Sequence, residues 1–230
     1  VSNDRIVWID CEMTGLDEAR DELIEIAAIV TDFELRPLDE GVDIVIRPSA
    51  QALENMNDFV TQMHTSSGLI TELDAGTTVA DAQAQVLDYV KSHVKEAGKA
   101  PLGGNSVGTD KVFLSKQMPE LVDYLHYRII DVSSVKELAK QWFPRAYFQA
   151  PEKHGGHRAL GDIRDSIVEL EYYRRAVFSS AGPTSDEAKA IAAEVVAAFS
   201  SADESDPSAA PGSPAAPGPA AAPGSAATGA

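Results

Sequence analysis

Cysteine is almost missing from this chain: Cys11 is the single one in 230 residues, so no intramolecular disulfide can form. Cations are scarce too, with 19 Lys and Arg against 36 Asp and Glu and a formal net charge of −17. That balance excludes a broad, sequence-independent grip on a nucleic-acid backbone, because a polyanion would be repelled over most of the surface. Six acids against Lys189 from residue 179 onward account for only part of the excess. The remainder is still acidic, so an anionic ligand must be held locally, by metals or by a few placed cations. No apolar run is long enough to span a bilayer, and no basic stretch followed by an apolar one opens the sequence. A cytoplasmic location with no membrane partner is the expectation.

What is present is an ordinary globular composition, 44% hydrophobic and 24% charged, enough for one domain with a sizeable core. Residues 5–10, 23–32 and 42–47 are β-branched apolar runs bounded by polar turns and predict three strands, the second and third antiparallel. Residues 78–94 carry apolar positions at helical spacing, with Thr78 or Asp81 as cap. A short strand at 100–104 enters a Gly-rich bend before a helix at 109–117. A strand at 128–132 then feeds a further helix, and 158–178 form a last long one. This order describes an α/β domain over residues 1–178, with a mixed sheet flanked by helices. After Gly182-Pro183, Thr184 and Glu187 make a capping box for an amphipathic helix, giving a linker-and-helix segment at 179–199. Residues 200–230 are almost wholly Ala, Pro, Gly and Ser, a composition that predicts a disordered tail.

The stretch WIDCEMTG sets two carboxylates, Asp10 and Glu12, on one face of a strand. Like charges that close repel and raise each other's pKa unless a cation lies between them. Asp110 follows the Gly-rich GGNSVGT, and Asp162 lies in HGGHRALGDIRDS, with His157 five residues before it. Each has a bland reading. An Asp-x-Glu is usually a solvated edge, Asp110 suits a helix start, and Asp162 competes with Asp165 for any special role. Together, oxygen ligands without thiols suit Mg²⁺ or Mn²⁺, and four carboxylates balance two divalent ions that could clamp a phosphodiester. A neutral imidazole nearby could take a proton from an attacking water.

WIDCEMTGLD, HTSSGL, GNSVGTDKVFL, MPELVDYLHYRIIDVSSVKEL and HRALGDIRDSIVELEYYR, in that order, resemble the oligoribonucleases, 3′-to-5′ exonucleases of the DEDDh class. The resemblance covers about residues 4–178 and implies a ribonuclease-H-like fold. It implies activity on RNA a few nucleotides long, above all dinucleotides, with release of 5′-mononucleotides and a homodimeric assembly. It assigns Asp10, Glu12, Asp110 and Asp162 to two metal ions and His157 to the general base, leaving Asp165 a bystander. Leu16 matches a leucine wedged between two bases. Phe59 matches an aromatic, often tryptophan in relatives, that stacks on a base. His64 matches a histidine close to substrate. Ser106, Arg128 and Ser133 match a cap over the terminal 5′ phosphate, with Tyr127 and Arg128 in a segment reaching the partner's site. Structural roles compete with these: packing for Leu16 and Phe59, helix capping for Ser133, ion pairing for Arg128. A DNA exonuclease of the same fold and a non-catalytic, dinucleotide-sequestering protein are the rival functions.

Overall fold

Strand β1, Ile6–Met13, is the central strand of a five-stranded sheet, and its alternation divides the core in two. Val7, Ile9, Cys11 and Met13 pack in one apolar cluster, Ile6 and Trp8 in another. Asp10 and Glu12 keep step with Ile6 and Trp8 and so share the second face. The computed structural model describes residues 4–203 and falls into two units that part between Ser180 and Ala181.

In the first unit, β2 (Leu23–Thr31) pairs antiparallel with β1, and β3 (Val42–Val45) antiparallel with β2. β4 (Pro101–Gly104) pairs parallel with β1, and β5 (His126–Asp131) parallel with β4, giving the order β3-β2-β1-β4-β5. Parallel neighbours need long crossovers. The first contains the short helices α1 (Ala50–Asn55) and α2 (Asp58–Ser66), two 3₁₀ turns, and α3 (Val79–His93). The second contains α4 (Gly108–Gln117) and α5 (Pro119–Tyr124). Ala82, Val86 and Val90 of α3, Phe113 and Leu114 of α4 and Leu121 of α5 fill the Val7–Met13 face. Beyond β5 come α6 (Val132–Trp142), α7 (Pro144–Tyr147) and α8 (Ala159–Val177). Val132, Ala159, Ile163 and Ile167 from α6 and α8 close the Ile6–Trp8 face. The expected mixed sheet flanked by helices is therefore what forms.

β1 extends past the predicted end at Asp10. Polar residues interrupt the apolar run there, but the ladder continues, pairing Asp10 with Ala27 and Glu12 with Glu25 before a register shift at Glu12/Met13. α1, α2 and α5 were not evident from hydrophobic periodicity. α1 and α2 are held by local side-chain caps, Ser49 accepting from Ala52 N–H and Asn57 from Val60 N–H, and α5 opens on Pro119.

The second unit contains α9, Ser185–Asp203, opened by the expected capping box: Thr184 N–H donates to Glu187 Oε2 (2.8 Å) and Glu187 N–H to Thr184 Oγ1 (3.3 Å). Most of the tail expected to be disordered, from residue 204 on, lies outside the described residues.

Candidate active site

The end of β1, the start of α4 and the start of α8 meet at a cleft of about 410 Å³. Asp10, Glu12, Asp110, His157 and Asp162 all line it. Asp110 lies in the first turn of α4, where its Oδ1 accepts from the Cys11 amide (3.0 Å), so the helix is tied to the strand between the two β1 acids. One ligand atom each from Glu12, His157 and Asp162 lies within 4.8 Å of the others. Burial, then the charges of Asp110, Asp162 and Glu12, pushes Asp10 up to about 9. Burial, then Asp162 and Glu25, pushes Glu12 up to about 8. Burial lifts Asp110 to about 7, and Asp162 is raised as well. Four clustered acids, Glu12 and Asp110 buried and Asp10 and Asp162 half-buried, are a donor set suited to divalent cations, whose charge opposes these upward shifts. The residues fit that group.

His157 stands on the loop ahead of α8, with φ of +60° following Gly156 at +67°. Two devices hold that loop. Asp165 accepts from the backbone N–H of His154 and of Gly155 (2.7 Å to the latter), so it shapes the loop while Asp162 faces the cleft. Gly155 lies against Asp162 so closely that a Cβ there would overlap the carboxylate. The second device was missed in the sequence. Glu25, fully buried on β2, accepts from Arg158 Nε and from Ala159 N–H, both at 2.8 Å. Arg158 Nη1 and Nη2 also donate to Glu72 at 2.8 and 3.1 Å, Nη2 lying 2.7 Å from Glu25 as well. The helix start carrying Asp162 is thereby pinned to the strand opposite Glu12. A signal did exist: an acid inside the apolar run LIEIAAIV must be paired if buried.

Leu16 and Phe59 line the mouth of the cleft and are 79% and 77% exposed, too open for core packing. Leu16 is presented by a turn built on buried Asp21, which accepts from Thr14 Oγ1 (3.0 Å) and Asp17 N–H (2.8 Å). His64 does not line the cleft. It is buried behind it, its Nε2 donating to the Met13 carbonyl (2.9 Å) and its Nδ1 3.9 Å from Glu12, and burial lowers its pKa. Ser106 lines the cleft, with φ of +50°, its N–H donating to Asp131 Oδ1 and Ser133 Oγ at 3.0 Å each. Ser133 Oγ lies 3.1 Å from Ser106 Oγ and donates to Asn105 Oδ1 at 3.1 Å. Asp131 is the side-chain cap of α6, accepting from Ser133 N–H. Tyr127 and Arg128 are not brought to this cleft. They sit exposed on β5, the edge strand, with the Arg128 guanidinium 5.3 Å from the Tyr127 ring centre.

Comparison with known proteins places this geometry. Among solved structures, zinc-bound Exonuclease I of E. coli in complex with single-stranded DNA matches with a TM-score of 0.59 at 16% identity, over 76% of this chain and 41% of that one. Exonuclease I of Methylocaldum szegediense matches with a TM-score of 0.56 at 17% identity, over the same shares. The chain thus spans about two fifths of those nucleases' length and shares their fold. The RNase_T family, described as Exonuclease, matches residues 7–170. An oligoribonuclease of Streptomyces coelicolor is 67% identical over 195 residues, 84% of this chain and 98% of that protein. The oligoribonuclease of Rhodococcus jostii is 55% identical over 194 residues, again 84% and 98%. Four acids and a histidine on an exonuclease-like sheet, and identity over nearly the whole of these relatives, have one reading: the chain belongs to the RNase_T exonucleases and, among them, to the oligoribonucleases.

Proposed function

We propose that the protein is a 3′-to-5′ exoribonuclease that degrades very short RNA, dinucleotides above all, to 5′-mononucleotides. The observation that carries this is the joining of two features in one cleft: the acid cluster with His157, and the exposed apolar pair Leu16 and Phe59 at its mouth. Asp10, Glu12, Asp110 and Asp162 would hold two Mg²⁺ or Mn²⁺ ions, which when bound supply Lewis-acid stabilisation of charge on the scissile phosphate. His157 takes the proton of the attacking water at a ring nitrogen, held in reach by the Asp165-shaped loop. Leu16 separates the two bases and Phe59 stacks on one, so the substrate is gripped by its bases rather than by a basic track. Ser106 and Ser133 receive the terminal 5′ phosphate and leave little room for a longer strand. Arg128, on the sheet edge, reaches the cap of a partner copy in a homodimer, where its planar fork suits two phosphate oxygens. The enzyme works in the cytoplasm, and among the described residues no helix is long and apolar enough to cross a membrane.

The deciding experiment compares a 5′-phosphorylated dinucleotide with a long single-stranded RNA, each with Mg²⁺ or EDTA. Fast, metal-dependent hydrolysis of the dinucleotide and slow attack on the long strand is the expected result. Equal rates on both discard the cap, and tight binding without cleavage discards the enzyme.

A further inference from the structure

The cleft is lined by four acids and one side chain of fixed positive charge, Lys153. A 5′-phosphorylated dinucleotide brings two phosphates to it. The acid cluster with its metals accounts for the scissile one, but the terminal one carries close to two negative charges of its own near neutral pH. In a chain of net charge −17 a doubly charged group calls for more than one cation, and Arg128 stands on the edge strand, placed to serve a partner copy's cap and not its own cleft, so within one chain Lys153 is the cation at hand. We propose that Lys153 is a ligand of the substrate's 5′-terminal phosphate, acting beside Ser106 and Ser133. The proposal rests on the reading of those two serines as the phosphate cap.

Two observations support it. Lys153 is wired to the cap: its Nζ lies 2.8 Å from Glu169 Oε2, the oxygen that also accepts from Asn105 Nδ2 at 3.2 Å. Asn105 Oδ1 in turn accepts from Ser133 Oγ, so ammonium and hydroxyls belong to one polar network on one wall. Lys153 is also free to leave. Glu169 is buried, its side chain 5% exposed, and a buried carboxylate stripped of its partner is costly. Here Lys136 sits 3.2 Å from Glu169 Oε1, and Asn105 still donates to Oε2. One cation stays with the carboxylate when the other, 41% exposed, turns to a phosphate.

The test measures KM and kcat for a dinucleotide with a 5′ phosphate and for the same dinucleotide with a 5′ hydroxyl. For Lys153→Met the KM of the phosphorylated substrate should rise about tenfold, the loss of one charge-assisted hydrogen bond. The hydroxyl substrate should be unaffected, and kcat should hold for both. Lys153→Arg should keep the preference. Lys136→Met removes a cation from the same Glu169 without touching the cleft, and it too should keep the preference. An equal loss on both substrates, a matching loss in Lys136→Met, or no loss at all overturns the assignment. If the unaltered enzyme makes no distinction between the two dinucleotides, the serine cap itself falls, a failure separate from that of Lys153.

Discussion

At the scale of single residues, the acids of β1 dominate. Asp10 and Glu12 are tolerable neighbours, and Asp110 a tolerable third, only while a cation or protons neutralise them. Asp110→Ala or Asp162→Ala should therefore lower kcat by about a thousandfold or more, the equivalent of several kcal/mol of lost transition-state stabilisation. The circular dichroism spectrum should be unchanged, since the apolar packing on both faces of the sheet remains even where Asp110→Ala gives up its bond to the Cys11 amide, and near-normal turnover in either variant would sink the two-metal assignment. A second consequence concerns stability. In metal-stripped protein Asp10, Glu12 and Asp110 keep protons up to about 9, 8 and 7, while the unfolded chain releases them near 3.8 to 4.5. The folded state thus binds more protons across that window, and its stability falls as pH rises through it. In EDTA the melting temperature should be lower at pH 8 than at pH 5. Mg²⁺ or Mn²⁺ should cancel the slope, and Asp10→Asn should flatten it without metal. A melting temperature insensitive to both additions would mean that the acids are not a coupled cluster.

Secondary-structure elements bring these residues together, and here the sequence was only partly legible. The period-2 pattern of β1 placed Asp10 and Glu12 on one face, and the Gly-rich bends before Asp110 and Asp162 marked the two helix starts. What periodicity could not supply was the pairing across elements. Nothing local separates Asp162 from Asp165, whereas the fold turns one to the cleft and the other to the His154 and Gly155 amides. Nor did His64 reveal that it lies behind Glu12 instead of beside the substrate cleft, because α2 is a short helix held by its cap, with no sustained apolar face to announce it. Glu25 is the plainest case, an acid whose partner lies 133 residues away. Its pairing with Arg158 and the Ala159 amide ties β2 to the start of α8, so Glu25→Ala should cost about 3 kcal/mol, the penalty for breaking a buried ion pair. Glu25→Gln keeps the shape and one acceptor. It should lose less stability yet still lower kcat by about tenfold, since a residual error in the placement of His157 and Asp162 weakens proton transfer and metal binding together. If Glu25→Gln turned over normally, the pair would be a fold element with no bearing on the site.

On the scale of the whole molecule, the division of labour between the cleft and the sheet edge matters most. The cleft of one chain holds the acids, His157, Ser106 with Ser133 bonded behind it, and the apolar pair, but Arg128 and the 71% exposed Tyr127 face outward from β5. An exposed edge strand carrying an aromatic ring and a guanidinium is a surface that another copy can cover, and a two-fold interface would present each Arg128 to its neighbour's cap. Sedimentation would report the dimer, but complementation tests the function. If the proposed dimer forms, Arg128→Ala would spoil the cap that this chain lends, and His157→Ala would spoil the chemistry of its own cleft. In a hybrid dimer, the cleft of the Arg128→Ala chain keeps His157 and receives an intact Arg128 from the other copy. Mixing the two variants in equal amounts, with time for subunit exchange, should raise activity on a 5′-phosphorylated dinucleotide to about a quarter of the unaltered enzyme's, because half of the dimers are hybrids with one complete site each. If Arg128 served its own chain's cleft, neither site of a hybrid would be complete and mixing would add nothing. The recovery on mixing therefore decides whether one chain, or two, makes the substrate's binding site.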